Sequence, residues 1–201
     1  MSDILSVEFR ENLARVDNLL NAYRALKRHS LCEKQTRMDV LRAAVVMMHS
    51  SLEEIIRNMF LIRLPGGSVE ALNKIPFVGH EATHRPKQIL LGDLSRFRGR
   101  FIDNIVRDSI DAYVNTMNLN NAVQLCNCLE MVSLSPEPFR NTFQDLDAMM
   151  KRRHQIAHQM DRASDLNLTA DPIEKINLRI VLAWRAALQS FHRLLLDALA
   201  Q

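Results

Sequence analysis

Lys151 to Met160 reads Lys-Arg-Arg-His-Gln-Ile-Ala-His-Gln-Met. Histidines four residues apart share one face of a helix, and His154 and His158 have the spacing at which a zinc-hydrolase helix presents two ligands. Such a site also needs a general base beside the first histidine and a third protein ligand. Gln155 stands where the glutamate base would be, and no acid or histidine follows at a familiar distance. The spacing therefore argues against a metal site, and no metal or cofactor is expected. What remains is either a basic helix with incidental histidines or a different kind of site that begins at the arginine.

The stretch lies on a helix expected to open at Ser135, a cap, with Pro136 at the first helical position, and to end near Arg162. Its apolar stripe reads Phe139, Phe143, Leu146, Met150, then Ala157 and Met160, with Met149 and Ile156 on the flank. Arg153 fills the gap. A guanidinium on a buried face is costly unless it is paired or faces a wet cleft, so Arg153 calls for a carboxylate, a polar interface, or both. Glu53, next to Leu52 and Ile56 on the second helix, is the candidate partner, ahead of Glu54. Spacing equally allows Glu53 to make an exposed pair with Arg57. His158 lies about 140° around the helix from Arg153 at 100° per residue. The two cooperate only if Arg153 curls to the helix edge or two copies of the helix face each other. His154 falls between them in angle, close to His158.

Five long helices must position these groups. The first runs from about Asp3 to Arg28, with Phe9, Leu13, Val16, Leu20 and Tyr23 on one face. The second runs from Thr36 to Arg63, with Thr36 and Asp39 as a capping pair and Leu41, Val45, Met48, Leu52, Ile55 and Met59 as its stripe. Pro65-Gly66-Gly67 ends it. A third covers Phe101 to Met117, and a short helix follows at Asn121 to Met131. The last is expected to start at Asp171-Pro172-Ile173-Glu174, with a stripe of Ile176, Ile180, Trp184, Leu188, Phe191, Leu195 and Leu199. Residues 64 to 100 are irregular, with a short helix from Ser68. They hold all five glycines and three of the six prolines. Arg85, Lys87, Arg96, Arg98 and Arg100 cluster there against Asp93, with Phe97 among them, as a phosphate-contacting loop or a solvated basic one.

Composition bounds the rest. The 201 residues suffice for one domain, or one with an extension. Scarce glycine and proline and 5% aromatics favour an all-α chain. Cys32, Cys126 and Cys128 fit neither a disulfide framework nor a zinc knuckle, which suits a reducing cytoplasm. The N-terminus carries acids early and reads as no signal peptide, and no apolar run reaches membrane length. A net charge of +3 permits a nucleic-acid partner without demanding one.

"RRHQIAHQ" resembles the motif of HEPN domains, an arginine, a polar residue, three more residues and a histidine on a late helix. The paired arginines and the Ile-Ala before the last histidine are most similar to the RiboL-PSP-HEPN group. "HSSLEEIIR" resembles the acid-bearing helix of such domains. The bare pattern of an arginine, four to six residues and a histidine is weak, since Arg24 to His29, Arg42 to His49 and Arg185 to His192 also fit it. Helix order and the polar His154 carry the likeness. It implies an HEPN-like antiparallel bundle over 36–201, with 64–100 as an irregular basic insertion and 1–35 as an N-terminal helical extension. It also implies a metal-independent endoribonuclease, a toxin or antiviral-defence effector, that leaves 2′,3′-cyclic phosphate ends. Arg153 would hold the scissile phosphate, His158 would move protons, His154 would assist and Glu53 would orient Arg153. Lys151, Arg152, Arg96, Arg98 and Arg100 would contact RNA. The site would lie at a homodimer interface, and an antitoxin or defence-system partner would act on it. The alternatives are a non-catalytic HEPN module that binds RNA, a nucleotide or a protein, and a plain helical interaction protein.

Overall fold

The computed structural model describes residues 2–29, 32–78, 90–162 and 173–200. In chain order it contains α1 (Ser2–Arg28), α2 (Lys34–Arg63), α3 (Val69–Leu72), α4 (Ile102–Asn115), α5 (Ala122–Met131), α6 (Arg140–Gln159) and α7 (Leu178–Leu199). Short 3-10 turns lie at Leu64–Gly66, Leu91–Phe97 and Glu137–Phe139. Among the described residues there is no β-strand, only an isolated bridge between Arg162 and Ile173. The fold is all-α. No described helix is long and apolar enough to cross a membrane.

The central helix is α2, which contacts α1, α4, α6 and α7. Cross-helix pairs fix the directions. Asn58 donates to Glu8, and Arg42 meets Asp161. Asp17 pairs with Arg185 while Phe9 stacks on His192. Phe60 stacks near Tyr113 while Arg57 reaches Asn115. The first two pairs couple the start of one helix to the end of its neighbour, and in the other two sets residue numbers rise on one helix as they fall on the other, so α1, α4 and α6 run antiparallel to α2, and α7 antiparallel to α1. Phe60, Phe139 and Phe191 are wholly buried, each worth about 1.5–3 kcal/mol on burial. Met48, Met149 and Met150 fill the same core.

Helix α1 is not an appendage. Phe9, Leu13, Val16, Leu20 and Tyr23 are buried in the one core with the stripes of α2 and α7. The 3.6-residue spacing that makes α1 amphipathic leaves its apolar face nowhere else to go. The expected extension over 1–35 is thus packed into the bundle.

Three expected helix starts differ. Helix α2 begins at Lys34, with Glu33 as a cap that makes no side-chain bond, so Thr36 already lies inside the helix. Asp39 instead accepts from Gln35 and Arg42. Ser135 accepts from the Glu137 amide as expected, but one 3-10 turn precedes α6. Helix α7 starts at Leu178, capped by Asn177, whose side chain accepts from the Ile180 amide. Asp171 and Pro172 lie outside the described residues, as do Arg85 and Lys87 of the basic loop.

The three cysteines are free thiols. Burial pushes the Cys128 thiol up to about 12, and the thiolate is the reactive form. A disulfide reagent at neutral pH is expected to modify Cys128 only on unfolding, which mass spectrometry of native and denatured protein would check.

Candidate active site

The motif helix α6 ends at Gln159, and two consecutive non-glycine residues then adopt the left-handed conformation, Met160 (φ 51°) and Asp161 (φ 58°). The turn carries Asp161 back under the helix end, where it is 1% exposed. Arg42 Nε stands 2.5 Å from Asp161 Oδ2, and Arg152 Nε 2.8 Å from Oδ1, with Arg152 Nη2 donating to Oδ2 at 2.9 Å. Both guanidiniums also donate to the Glu174 carbonyl, and Arg152 reaches that of Lys175. The Glu174 amide donates back to the Asp161 carbonyl at 2.8 Å. This Arg-Asp-Arg cluster ties α2, the end of α6 and the approach to α7 together. It also accounts for the late start of α7, because the backbone groups of Glu174 and Lys175 are bonded to the cluster.

Arg152 is therefore the arginine taken into the structure, its side chain 12% exposed. Expected as an RNA contact, it is committed to Asp161 and is not offered to a ligand. Arg153 is half-buried, and its expected partner is in reach: burial raises the Glu53 carboxyl, but His49, the Leu119 amide and Arg153 together hold it below its usual value. Arg153 acts on Glu53 through its field, without the close contact that Arg152 makes. The competing pair of Glu53 with Arg57 does not form. Arg57 turns to Glu54 at 3.7 Å and to Asn115.

His154 and His158 are exposed on the outer face of α6, ring centroids 4.6 Å apart and tilted by 45°. Within one chain they point to solvent while Arg153 leans toward α2, as the helix wheel requires. Among the described residues no three His, Cys, Asp or Glu side chains gather closely enough to hold a metal ion. Lys151 is exposed and pairs with Asp147 at 2.6 Å. Asp147 also accepts from the Ala122 amide, and although burial raises its carboxyl, Lys151 and that amide hold it below its usual value.

The basic loop lies elsewhere. Arg96 donates to the Val78 carbonyl and covers the Phe97 ring, Arg98 is exposed, and Arg100 pairs with Asp108 at 2.6 Å. Tyr113 sits level with Phe60. Some three turns of α4 and two of α2, at 5.4 Å each, set Arg100 on the order of 25 Å from Glu53 along the bundle. One chain does not bring Arg96, Arg98 and Arg100 to the α6 site.

Sequence reasoning gave Arg42 and His49 no role beyond a chance match to the bare pattern, and passed over Asp161. His49 stands four residues before Glu53 on the same helix face, and Arg42 interrupts the apolar stripe of α2 as Arg153 does that of α6. Both signals were present. Met160 offers a small check on the turn. A left-handed residue other than glycine costs about 1–2 kcal/mol, of which glycine's looser unfolded chain returns about 0.5–1. Met160 is 77% exposed, so Met160→Gly is expected to raise stability by about 0.5–1 kcal/mol in urea titrations.

An all-α bundle whose motif helix sets a half-buried arginine toward the acid of the central helix and two histidines on its own exposed face is the class this geometry defines. The chain belongs to the RiboL-PSP-HEPN family, an HEPN-type family that it matches over residues 10–183, α1 included from its third turn. Comparison with curated proteins and with solved structures finds no match.

Proposed function

We propose that the chain is a metal-independent endoribonuclease that works as a homodimer. The supporting observation is the arrangement on α6: Arg153 within the field of Glu53, with the imidazoles of His154 and His158 in contact on the exposed face of the same helix. In this reading Arg153 holds a non-bridging oxygen of the scissile phosphate and offsets the charge that grows in the transition state. The RNA 2′-oxygen attacks phosphorus as the bond to the 5′-oxygen breaks. One imidazole takes the 2′ proton and another gives a proton to the leaving oxygen, the roles of general base and general acid that histidine most often fills. His158 is the principal proton carrier and His154 its assistant. The products are a 2′,3′-cyclic phosphate and a 5′-hydroxyl, and no step needs a metal. Because His158 faces away from α2 while Arg153 leans toward it, Arg153 of one protomer serves His158 of the other across a dimer cleft. The same reading makes the protein a toxin or antiviral-defence effector under the control of a neutralising partner.

The test is incubation with total RNA in EDTA, next to Arg153→Ala and His158→Ala. Cleavage that survives chelation and is lost in both variants supports the reading. RNA binding without cleavage makes the chain a binding module of its family. A strict monomer in gel filtration at micromolar concentration overturns the shared cleft.

A further inference from the structure

His49 is a third histidine beside the site, and it is fully buried. Its Nε2 lies 2.7 Å from the Leu119 carbonyl oxygen. A carbonyl only accepts, so Nε2 carries a proton. The other ring nitrogen, Nδ1, is also buried, has no well-formed hydrogen bond, and faces Glu53 Oε2 at 3.4 Å. A bare lone pair there would be a buried, unsatisfied acceptor aimed at a carboxylate. A proton on Nδ1 turns the same contact into charge pairing. Glu53 Oε1 in turn accepts from the Leu119 amide at 3.4 Å, so the Leu119 peptide is held from both sides by one turn of α2.

The surrounding charges agree. On α2, Arg57 is occupied by Glu54 and Asn115. Asp147 of α6, bonded to the Ala122 amide, is paired with Lys151. Arg153 of α6 is the remaining cation with a share in the Glu53 carboxylate.

We propose that His49 is a positioning residue held as an imidazolium, which neutralises Glu53 from within α2 and so leaves Arg153 its charge for an anionic oxygen of the substrate. The two neighbouring arginines then divide their work. Arg152 spends its charge on Asp161 inside the fold, and Arg153 keeps its charge at the surface. Only the role given to Arg153 rests on the nuclease reading; the protonation of His49 stands apart from it.

Two measurements test this. The first is the nitrogen-15 spectrum of the imidazoles. His49 is expected to show both ring nitrogens protonated at neutral pH. A neutral His49 ring with a bare Nδ1 at neutral pH overturns the proposal. The second is binding of a 2′-O-methyl RNA oligonucleotide, which lacks the nucleophile, followed by fluorescence anisotropy. His49→Gln frees the Glu53 charge to quench Arg153, so binding is expected to weaken about tenfold, with a salt slope smaller by about one. His49→Gln combined with Glu53→Gln removes both charges and is expected to restore binding and slope. A double variant as weak as His49→Gln would mean a merely structural role and overturn the proposal. Wild-type protein that ignores RNA counts against the nuclease reading alone, and the ring spectrum still decides the state of His49.

Discussion

Replacing His158 with alanine is expected to slow EDTA-resistant RNA cleavage by about 10²–10⁴-fold, the usual worth of a positioned general acid or base. Arg153→Ala is expected to cost about 10²–10³-fold, as the loss of one group that binds the developing charge does. His158 is exposed, so its variant should unfold at the wild-type temperature, which separates lost chemistry from lost fold. His154→Ala should cost less, since in the proposed mechanism it removes the assisting imidazole and leaves the proton carrier.

Mixing the two dead variants sharpens the result. If Arg153 and His158 of one chain worked together, every site in a mixed dimer would lack one of them. If each site takes Arg153 from one protomer and His158 from the other, a mixed dimer has one site lacking both and one intact. After subunit exchange in equal amounts, half the dimers are mixed and half their sites work, so about a quarter of wild-type activity should return. A mixture as inactive as its parents would place both residues in one chain's site and overturn the shared cleft. The helix wheel favours recovery, because the two side chains diverge by about 140° on a straight helix.

The apolar stripes were legible because burial imposes a period that survives in the residue types. Val45, Met48 and Leu52 are wholly buried where spacing put them, and Trp184, Leu188, Phe191 and Leu195 form the inner face of α7. The motif helix was legible too, and its family with it. The identity of the buried arginine was not. On a straight helix Arg153 fills the gap in the stripe, but the last turn of α6 packs against Arg42 and the 173–175 segment as well as against α2, and those draw Arg152 inward. That packing depends on the left-handed turn at Met160 and Asp161. Sequence marks such turns with glycine or asparagine, and neither stands here. The start of α7 was misplaced for the same reason. Asp171-Pro172 is a good local signal, yet the backbone after it is bonded to a cluster assembled from residues far apart in the chain.

Asp161→Ala is expected to cost about 3–5 kcal/mol, because removing one partner strands the other charges. Here it would take the one buried carboxylate from two guanidiniums, leaving Arg42 the exposed Asp39 and Arg152 the Glu174 carboxylate at 3.8 Å, in a place where water reaches the guanidiniums poorly. Out of a total stability of about 5–15 kcal/mol, that is enough to unfold the end of α6 or the whole chain at growth temperature. Asp161→Asn should be milder. It keeps an acceptor for one guanidinium, and asparagine tolerates the left-handed backbone that alanine resists. Urea titration distinguishes this from a surface pair, whose loss costs about 0–1 kcal/mol. A value below about 1 kcal/mol for Asp161→Ala would mean that the cluster is solvated and does not hold the helix end. Salt supplies an independent check. Exposed pairs such as Arg140 with Glu137 are screened within about 3 Å at 1 M ionic strength. The Asp161 cluster is shielded by the chain itself, so the difference between wild type and Asp161→Ala should persist in high salt. The activity of Asp161→Ala should fall together with the folding of the end of α6, since that turn fixes the direction in which His154 and His158 leave the helix.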